Sequence, residues 1–147
     1  MTPEEITAEL EPLLTERNPI YYCYQLVDRW RANSITPDQV TDEILRFMEE
    51  HTDVDFGLPG PLVAFLETKV AEESYADSLV RSIQRKPVHY TIWMLDRLLK
   101  VTFDPVHRKR LTNVMREARR SPYATDDLTE DIDRAISRFY AHEKDGT

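Results

Sequence analysis

The chain has 147 residues, of which 41% are hydrophobic and 31% are charged, and its formal net charge is −8. This composition supplies a core and excludes the disordered class, while 3 glycines and 1 cysteine leave no Gly-rich phosphate loop, disulfide framework or cysteine-built zinc site. The charge is uneven: residues 1–80 have a balance of −12, residues 81–122 of +8 and residues 123–147 of −4. The acidic total argues against general nucleic-acid binding.

Helical spacing of apolar residues recurs along the chain, and sustained strand-type alternation does not. Thr2 and Thr36 each precede a proline and stand three residues before a Glu or Gln, which predicts capping boxes. Ser74 and Thr125 are predicted N-caps of two later helices. The pattern predicts eight helices, over residues 3–17, 19–32, 37–51, 60–72, 74–86, 88–101, 105–120 and 125–142.

These helices are predicted to form pairs, because one segment recurs further along the chain. Residues 80–87 align with residues 115–122, and two arginines and the final proline are identical in the two segments. Repeating two-helix units that cannot bury their own apolar faces are typical of solenoids. The sequence therefore predicts a single all-α domain over residues 1–147, with four antiparallel helix pairs in a short right-handed HEAT-like solenoid. An irregular helical bundle is the alternative.

No residue pattern requires catalysis, a cofactor or a metal ion. Cys23 has apolar and aromatic neighbours, so we expect it to be a buried small hydrophobe rather than a nucleophile. The acidic residues 49–55 do not match the calcium-loop pattern and are interpreted as a solvated helix end. The basic residues 107–110 are interpreted as a solvated face or as a docking patch for an acidic partner. We therefore expect a protein that is not an enzyme.

The sequence also predicts the cellular compartment of the protein. The acidic start has no apolar stretch behind it and does not resemble a signal peptide, and the longest apolar runs, such as Leu62 to Leu66, are far too short for a membrane span. We therefore expect a cytoplasmic protein with a reduced thiol and no membrane partner.

The helix around Trp93 has apolar residues on more than one face. If Ile92, Leu95 and Leu99 face the core, then Trp93 and Arg97 lie on a different stripe together with Asp96 and Lys100. Aromatic and arginine side chains on an exposed stripe are typical of interface anchors. The alternative is that Trp93 belongs to the core.

Two segments carry a family resemblance. The first is Gly57-Leu58-Pro59-Gly60-Pro61-Leu62-Val63 followed by Phe65-Leu66-Glu67, and the second is Arg85-Lys86-Pro87 followed by residues 91–97. Together they resemble small all-helical immunity proteins of bacterial polymorphic and contact-dependent toxin systems, over roughly residues 57–120. Asp96 stands where that group is expected to have asparagine.

The resemblance implies a protein without catalytic activity that binds a cognate toxin domain and blocks its active site or substrate path. Many such toxins are nucleases with basic substrate surfaces, and an acidic surface can fill a basic cleft with electrostatically steered association. We expect the acidic half to supply charge and Trp93 and Arg97 to act as anchors. The candidate interface residues are Tyr22, Asp28, Glu49, Glu50, Asp53, Asp55, Glu67, Trp93, Asp96, Arg97, Asp131 and Arg134.

Two other functions fit the same sequence. One is a helical-repeat adaptor that binds a protein unrelated to toxins. The other is a HEAT-like enzyme that removes alkylated bases from nucleic acid, which would need a basic, aromatic-lined cleft within residues 81–122. Direct nucleic-acid binding is not expected, and the sequence makes no prediction of oligomeric state.

Overall fold

The computed structural model of the protein describes residues 1–140, with side chains to residue 138. This part of the chain contains no strand, so the predicted all-helical class is confirmed. The eight α-helices are α1 (Pro3–Leu10), α2 (Pro19–Ala32), α3 (Pro37–Glu50), α4 (Gly60–Glu67), α5 (Glu73–Arg85), α6 (His89–Lys100), α7 (Pro105–Ala118) and α8 (Asp126–Ala135).

Helix starts follow the local chemistry of the sequence. The Thr2 hydroxyl accepts a hydrogen bond from the Glu5 backbone N–H at 3.2 Å, and the Thr125 hydroxyl accepts from the Leu128 N–H at 3.1 Å. At the start of α3 the predicted capping box is present, and its Gln39 side chain accepts from the Thr36 N–H at 2.9 Å. Each bond satisfies a backbone N–H without an intrahelical partner.

Four predicted boundaries are corrected. The first helix tightens into a 3₁₀ segment, Glu11–Leu14, because Pro12 has no N–H to continue the α-helical ladder. The fourth ends at Glu67, where the Thr68 hydroxyl bonds the Phe65 carbonyl at 2.7 Å. Ser74 lies inside α5 and is not its N-cap. The eighth changes at Ile136 into a π-helical segment, Ile136–Tyr140, and residues 141 and 142 of the prediction lie outside the described range.

The chain divides into two compact units, Met1–Ser78 and Leu79–Thr147. In the first, α1 packs against α3 and α2 against α4, and α3 also contacts α4. Trp30, Phe56, Leu62 and Leu66 are among its fully buried side chains. When two helix pairs stack, the first helix of one pair contacts the first helix of the next, and the second contacts the second. The contacts of α1 with α3 and of α2 with α4 follow this pattern. The right-handed solenoid and the single domain stay predictions.

In the second unit, α6, α7 and α8 contact one another, and the π-helical segment contacts α7. Leu95 and Leu99 of α6, Met115 of α7 and Ile132 of α8 are completely buried. These apolar side chains occupy one face of each helix, so each helix directs its polar residues elsewhere.

Candidate functional site

A groove of about 250 Å³ lies between α6 and α8 of the second unit. Its lining combines an aromatic and aliphatic floor with charged side chains, which is the usual make-up of a binding site on a protein surface. Four of the predicted interface residues line it. The lining residues are His89, Ile92, Trp93, Asp96, Asp131, Arg134, Ala135 and Arg138.

Trp93 and Arg97 form a stacked pair at this groove. The Arg97 guanidinium carbon lies 5.0 Å from the Trp93 ring centroid, and the Tyr90 ring meets the Trp93 ring edge-on with centroids 6.4 Å apart. Ile92, Leu95 and Leu99 are buried as predicted, while Trp93 and Arg97 are half-buried. Trp93 and Arg97 are therefore more accessible than the buried residues of α6, and their role as interface anchors stays a prediction.

Asp131 organises the charged wall of the groove. Its Oδ2 atom lies 2.6 Å from Nδ1 of His89, and its Oδ1 atom lies 3.2 Å from an Arg134 guanidinium nitrogen. The side chains of all three residues are between 41% and 60% exposed. Exposed ion pairs of this kind contribute little to stability, about 0–1 kcal/mol each.

The second groove carboxylate, Asp96, is less accessible. Its side chain is 15% exposed and its Oδ2 atom lies 3.3 Å from the Lys100 ammonium. Both groove carboxylates therefore have a neighbouring cation, and the guanidinium groups of Arg97, Arg134 and Arg138 lie at or beside the same groove. The groove can receive an apolar or aromatic side chain against Trp93 while its charged edge makes hydrogen bonds.

The remaining predicted interface residues all lie in the first unit. Asp28, Glu50, Asp53 and Asp55 are exposed and Glu67 is half-buried. Residues 1–80 contain 17 acidic and 5 basic residues, so these side chains belong to a strongly acidic half of the chain. Such a surface attracts basic partners over a distance of about one Debye length, roughly 8–10 Å at ordinary salt.

Two of the predicted interface residues are placed differently from a surface contact. Glu49 is 4% exposed, so its carboxylate is not part of the acidic surface and that assignment is wrong. Glu49 follows Phe47 and Met48 in the run of buried residues near the end of α3. Tyr22 is half-buried, and its hydroxyl donates to the Glu9 carbonyl at 2.6 Å, so the hydroxyl serves the first unit internally.

The loop before α4 presents one large apolar side chain among acidic residues. The Asp55 carboxylate accepts from the Gly57 N–H at 2.9 Å, and Gly57 has a φ of +89°. A Cβ at Gly57 would lie 2.6 Å from the Gly60 Cα, so this close approach requires glycine. Leu58, next to it, is 78% exposed. The first family-like motif thus forms a tight loop beside the exposed Asp53 and Asp55.

Sequence reasoning missed several residues. His89 and Arg138 line the groove, and His89 could have been found because it stands four residues before Trp93 on the same helix face. Tyr21, Tyr24 and Phe103 are large exposed side chains. An aromatic residue in a loop, or opposite the buried stripe of a helix, was the available signal for them.

The reactive groups named from the sequence have simple environments. Cys23 is buried, as expected, and burial raises the pKa of its thiol from 9.0 to about 12. The neutral thiol is thus favoured, which makes it a poor nucleophile. Of the basic run, Arg108 donates to the carbonyls of Leu99 and Thr102, while His107, Lys109 and Arg110 are exposed.

Within the described residues, no group of three or more His, Cys, Asp and Glu side chains could hold a metal ion. The same range contains no helix with the length and apolar character needed to cross a bilayer. Comparisons with protein-family models, with curated proteins and with solved structures found no match to this chain.

Proposed function

We propose that this chain is a non-catalytic immunity protein that acts in the cytoplasm by binding a cognate toxin domain, a nuclease, and blocking its active site or substrate path. The resemblance of residues 57–120 to such proteins names the class of partner. The observation that carries the proposal is the half-buried Trp93 with the Arg97 guanidinium 5.0 Å from its ring centroid, at the edge of a preformed groove.

Trp93 and Arg97 have the properties of binding anchors. Tryptophan and arginine are among the residues most enriched at the few positions that dominate measured interface energetics. The Trp93 side chain is restricted by its contacts with Tyr90 and Arg97. It therefore loses little additional side-chain entropy when a partner packs against it. A single partner side chain bound in the groove can therefore contribute most of the binding free energy.

The acidic first unit supplies the second part of the recognition. A nuclease surface that holds a phosphate backbone is basic, and exposed carboxylates such as Asp28, Glu50 and Asp53 can occupy it in place of nucleic acid. Charges of this kind act mainly on the association rate, which then falls as salt increases. The anchor pair, in contrast, acts mainly on the dissociation rate.

The test is co-expression of this chain with the product of the adjacent gene. The proposal expects that product to arrest growth alone, and expects this chain to restore growth and to co-purify with it. The variant Trp93→Ala should speed dissociation by at least about tenfold. Tyr123→Ala is the matched control, because Tyr123 is an aromatic residue of the second unit with a cation, Lys86, beside its ring but does not line the groove.

A charge test separates the two parts of the recognition. Lysine at Asp28, Glu50 and Asp53 should slow association and reduce its salt dependence, whereas lysine at the three exposed residues Asp126, Asp127 and Glu130 of α8 should change it less. Equal effects of the two reversals would show that the acidic half has no special role. A neighbouring product that binds through the groove but is harmless would overturn the immunity proposal and favour the adaptor.

A further inference from the structure

Three apolar side chains project into solvent where the chain passes from α6 to α7. Val101 is 55% exposed, Phe103 is 82% exposed and Val106 is 76% exposed. We call these three residues the apolar tip. Single exposed apolar residues are normal, but three large ones close together in the chain form a local patch, and such patches mark interaction surfaces.

The tip is held in this exposed arrangement by hydrogen bonds. One guanidinium nitrogen of Arg108 donates to the Leu99 carbonyl at 2.7 Å and to the Thr102 carbonyl at 3.1 Å. The Asp104 carboxylate accepts from the His107 N–H at 3.0 Å and caps α7. Because the backbone before and after the central phenylalanine is held by these bonds, binding through the tip costs little ordering entropy.

The tip has basic surroundings within the second unit. Residues 96–110 contain five Lys or Arg residues and two Asp residues, a balance of +3. Lys109 and Arg110 are exposed and stand three and four residues after Val106 on α7. Side chains at this spacing share a helix face, so two cations lie beside an apolar residue of the tip.

Two acidic residues of α8 lie at the far ends of the helices that carry the tip. Asp131 contacts His89, the first residue of α6, with 2.6 Å between Oδ2 and Nδ1. Asp133 is paired with Arg119, which follows the last residue of α7. Because α6 spans 12 residues, about 16 Å of helix separates His89 from the tip. This exceeds the Debye length of about 8 Å at physiological salt, so these carboxylates do not cancel the positive charge of the tip.

The chemistry of the tip favours a lipid surface as its partner. Phe103, at 82% exposed, protrudes from the protein, and the interface of a bilayer receives a protruding apolar side chain without a cavity of matching shape. The other two side chains of the tip are valines, which offer no ring for the base stacking that single-stranded nucleic acid uses. Lys and Arg beside apolar residues are typical of segments that bind anionic headgroups.

We infer that the apolar tip inserts into the surface of an anionic lipid bilayer. Phe103 and the two valines lie at the boundary between headgroups and acyl chains, and Lys109 and Arg110 contact the lipid phosphates. Short apolar runs exclude a membrane span, on which the expected absence of a membrane partner depends, but a surface contact needs no span. The cytoplasmic leaflet is the anionic one, so this contact is compatible with the proposed function but does not depend on it.

Flotation of the purified full chain with lipid vesicles tests the inference directly. The chain should float with vesicles of equimolar phosphatidylserine and phosphatidylcholine, and much less with vesicles of phosphatidylcholine alone. Increasing salt from about 0.1 M to about 1 M should reduce the bound fraction, because the Debye length falls from about 10 Å to about 3 Å. A chain that does not float with the phosphatidylserine vesicles at low salt would overturn the inference.

Two variants locate the contact at the tip. Phe103→Ser, and a double variant with glutamate at Lys109 and Arg110, should each raise the lipid concentration for half-maximal binding at least about tenfold. The replaced side chains are exposed, so both variants should keep the helical circular dichroism of the parent. Parental binding by either variant would overturn the assignment of the contact to the tip.

Each variant has a matched control elsewhere in the chain. Leu58→Ser removes an apolar side chain that is 78% exposed and lies outside the tip. Glutamate at Arg17 and Arg120, both exposed, changes the net charge by the same amount as the double variant at the tip. Both controls should bind the phosphatidylserine vesicles more tightly than the tip variants. Equal weakening by the matched control would show that the tip has no special role.

Tryptophan at Phe103 reports insertion itself. Its emission, after subtraction of the parent signal from Trp30 and Trp93, should shift to shorter wavelength with phosphatidylserine vesicles and should be quenched by brominated phosphatidylcholine within them. Leu58→Trp should show neither change. Unchanged emission of Phe103→Trp on bound vesicles would overturn the insertion. A single-stranded DNA oligonucleotide that binds through Phe103, without any binding of vesicles, would overturn the lipid surface as partner.

Discussion

The contact between Glu9 of α1 and Trp30 of α2 gives the most direct test of a hydrogen bond that links these two helices. The Trp30 indole N–H donates to the Glu9 carboxylate at 2.8 Å, and the Trp30 side chain is 1% exposed. The same carboxylate lies 3.4 Å from the Arg29 guanidinium, with side chains 29% and 51% exposed. Glu9→Ala removes the acceptor and leaves a buried donor without a partner.

The expected cost follows from these environments. A hydrogen bond to a charged group contributes about 1.5–3 kcal/mol, and a buried donor that loses its acceptor costs a similar amount. The Arg29 pair is exposed and adds at most about 0.5 kcal/mol. We therefore expect Glu9→Ala to lower the free energy of unfolding by about 2–3 kcal/mol. Glu9→Gln keeps a carbonyl oxygen as acceptor and should cost about 1 kcal/mol.

Urea unfolding followed by far-ultraviolet circular dichroism measures these differences. Glu16→Ala is the control, because Glu16 is exposed at the end of the same region, and Arg29→Ala isolates the ion pair. Adding Trp30→Phe to Glu9→Ala should cost less than Trp30→Phe alone, since the indole N–H is already orphaned. If Glu9→Ala costs no more than Glu16→Ala, the hydrogen bond does not stabilise the fold and the reasoning is refuted.

Three further predictions concern single positions. Burial raises the Cys23 pKa from 9.0 to about 12, so the stability that the buried thiol contributes is complete below pH 9.0 and is lost as the pH rises toward 12. Between these two pH values the parent should lose stability relative to Cys23→Ala, and below pH 9.0 the difference between them should not change with pH. Gly57→Ala should lower the free energy of unfolding by about 2–4 kcal/mol, because the positive φ and the overlap of the new Cβ with the backbone both cost energy. Gly60→Ala should lower it by only about 1 kcal/mol, because a Cβ at Gly60 would meet no other atom. Equal unfolding midpoints of the two variants would contradict this difference. Asp104→Ala should lower the thermal midpoint by removing about 1 kcal/mol of capping from α7, and Asp104→Asn should keep most of it.

Much of the local structure could be predicted because it depends on neighbours in sequence. A proline behind a Thr, Asn or Asp marks the start of four helices, at Thr2, Asn18, Thr36 and Asp104. The errors have local causes as well. Pro12 breaks the ladder of the first helix, and the Thr68 hydroxyl takes a carbonyl at the end of the fourth. Each of these helix ends depends on a single hydrogen bond. The spacing of apolar residues carries no information about such a bond.

The candidate site could be predicted in part. The spacing predicted that Ile92, Leu95 and Leu99 face the core, and all three are buried, while Trp93 and Arg97 are half-buried rather than exposed. Glu49 and Glu50 illustrate the limit, since two adjacent carboxylates of one acidic run differ completely in exposure. The difference depends on which residues α3 contacts in its own unit, and composition carries no information about that contact.

The sequence by itself determined the helical class, most helix starts and the separation of acidic and basic halves, because these depend on backbone chemistry and on counts of charge. Only the tertiary structure decided that Asp131 meets His89, 42 positions earlier in the chain, beside Trp93. It also decided that Phe103 stays in solvent. Contacts of this kind depend on how helices pack over long sequence separations, and many different pairings satisfy the same apolar periodicity.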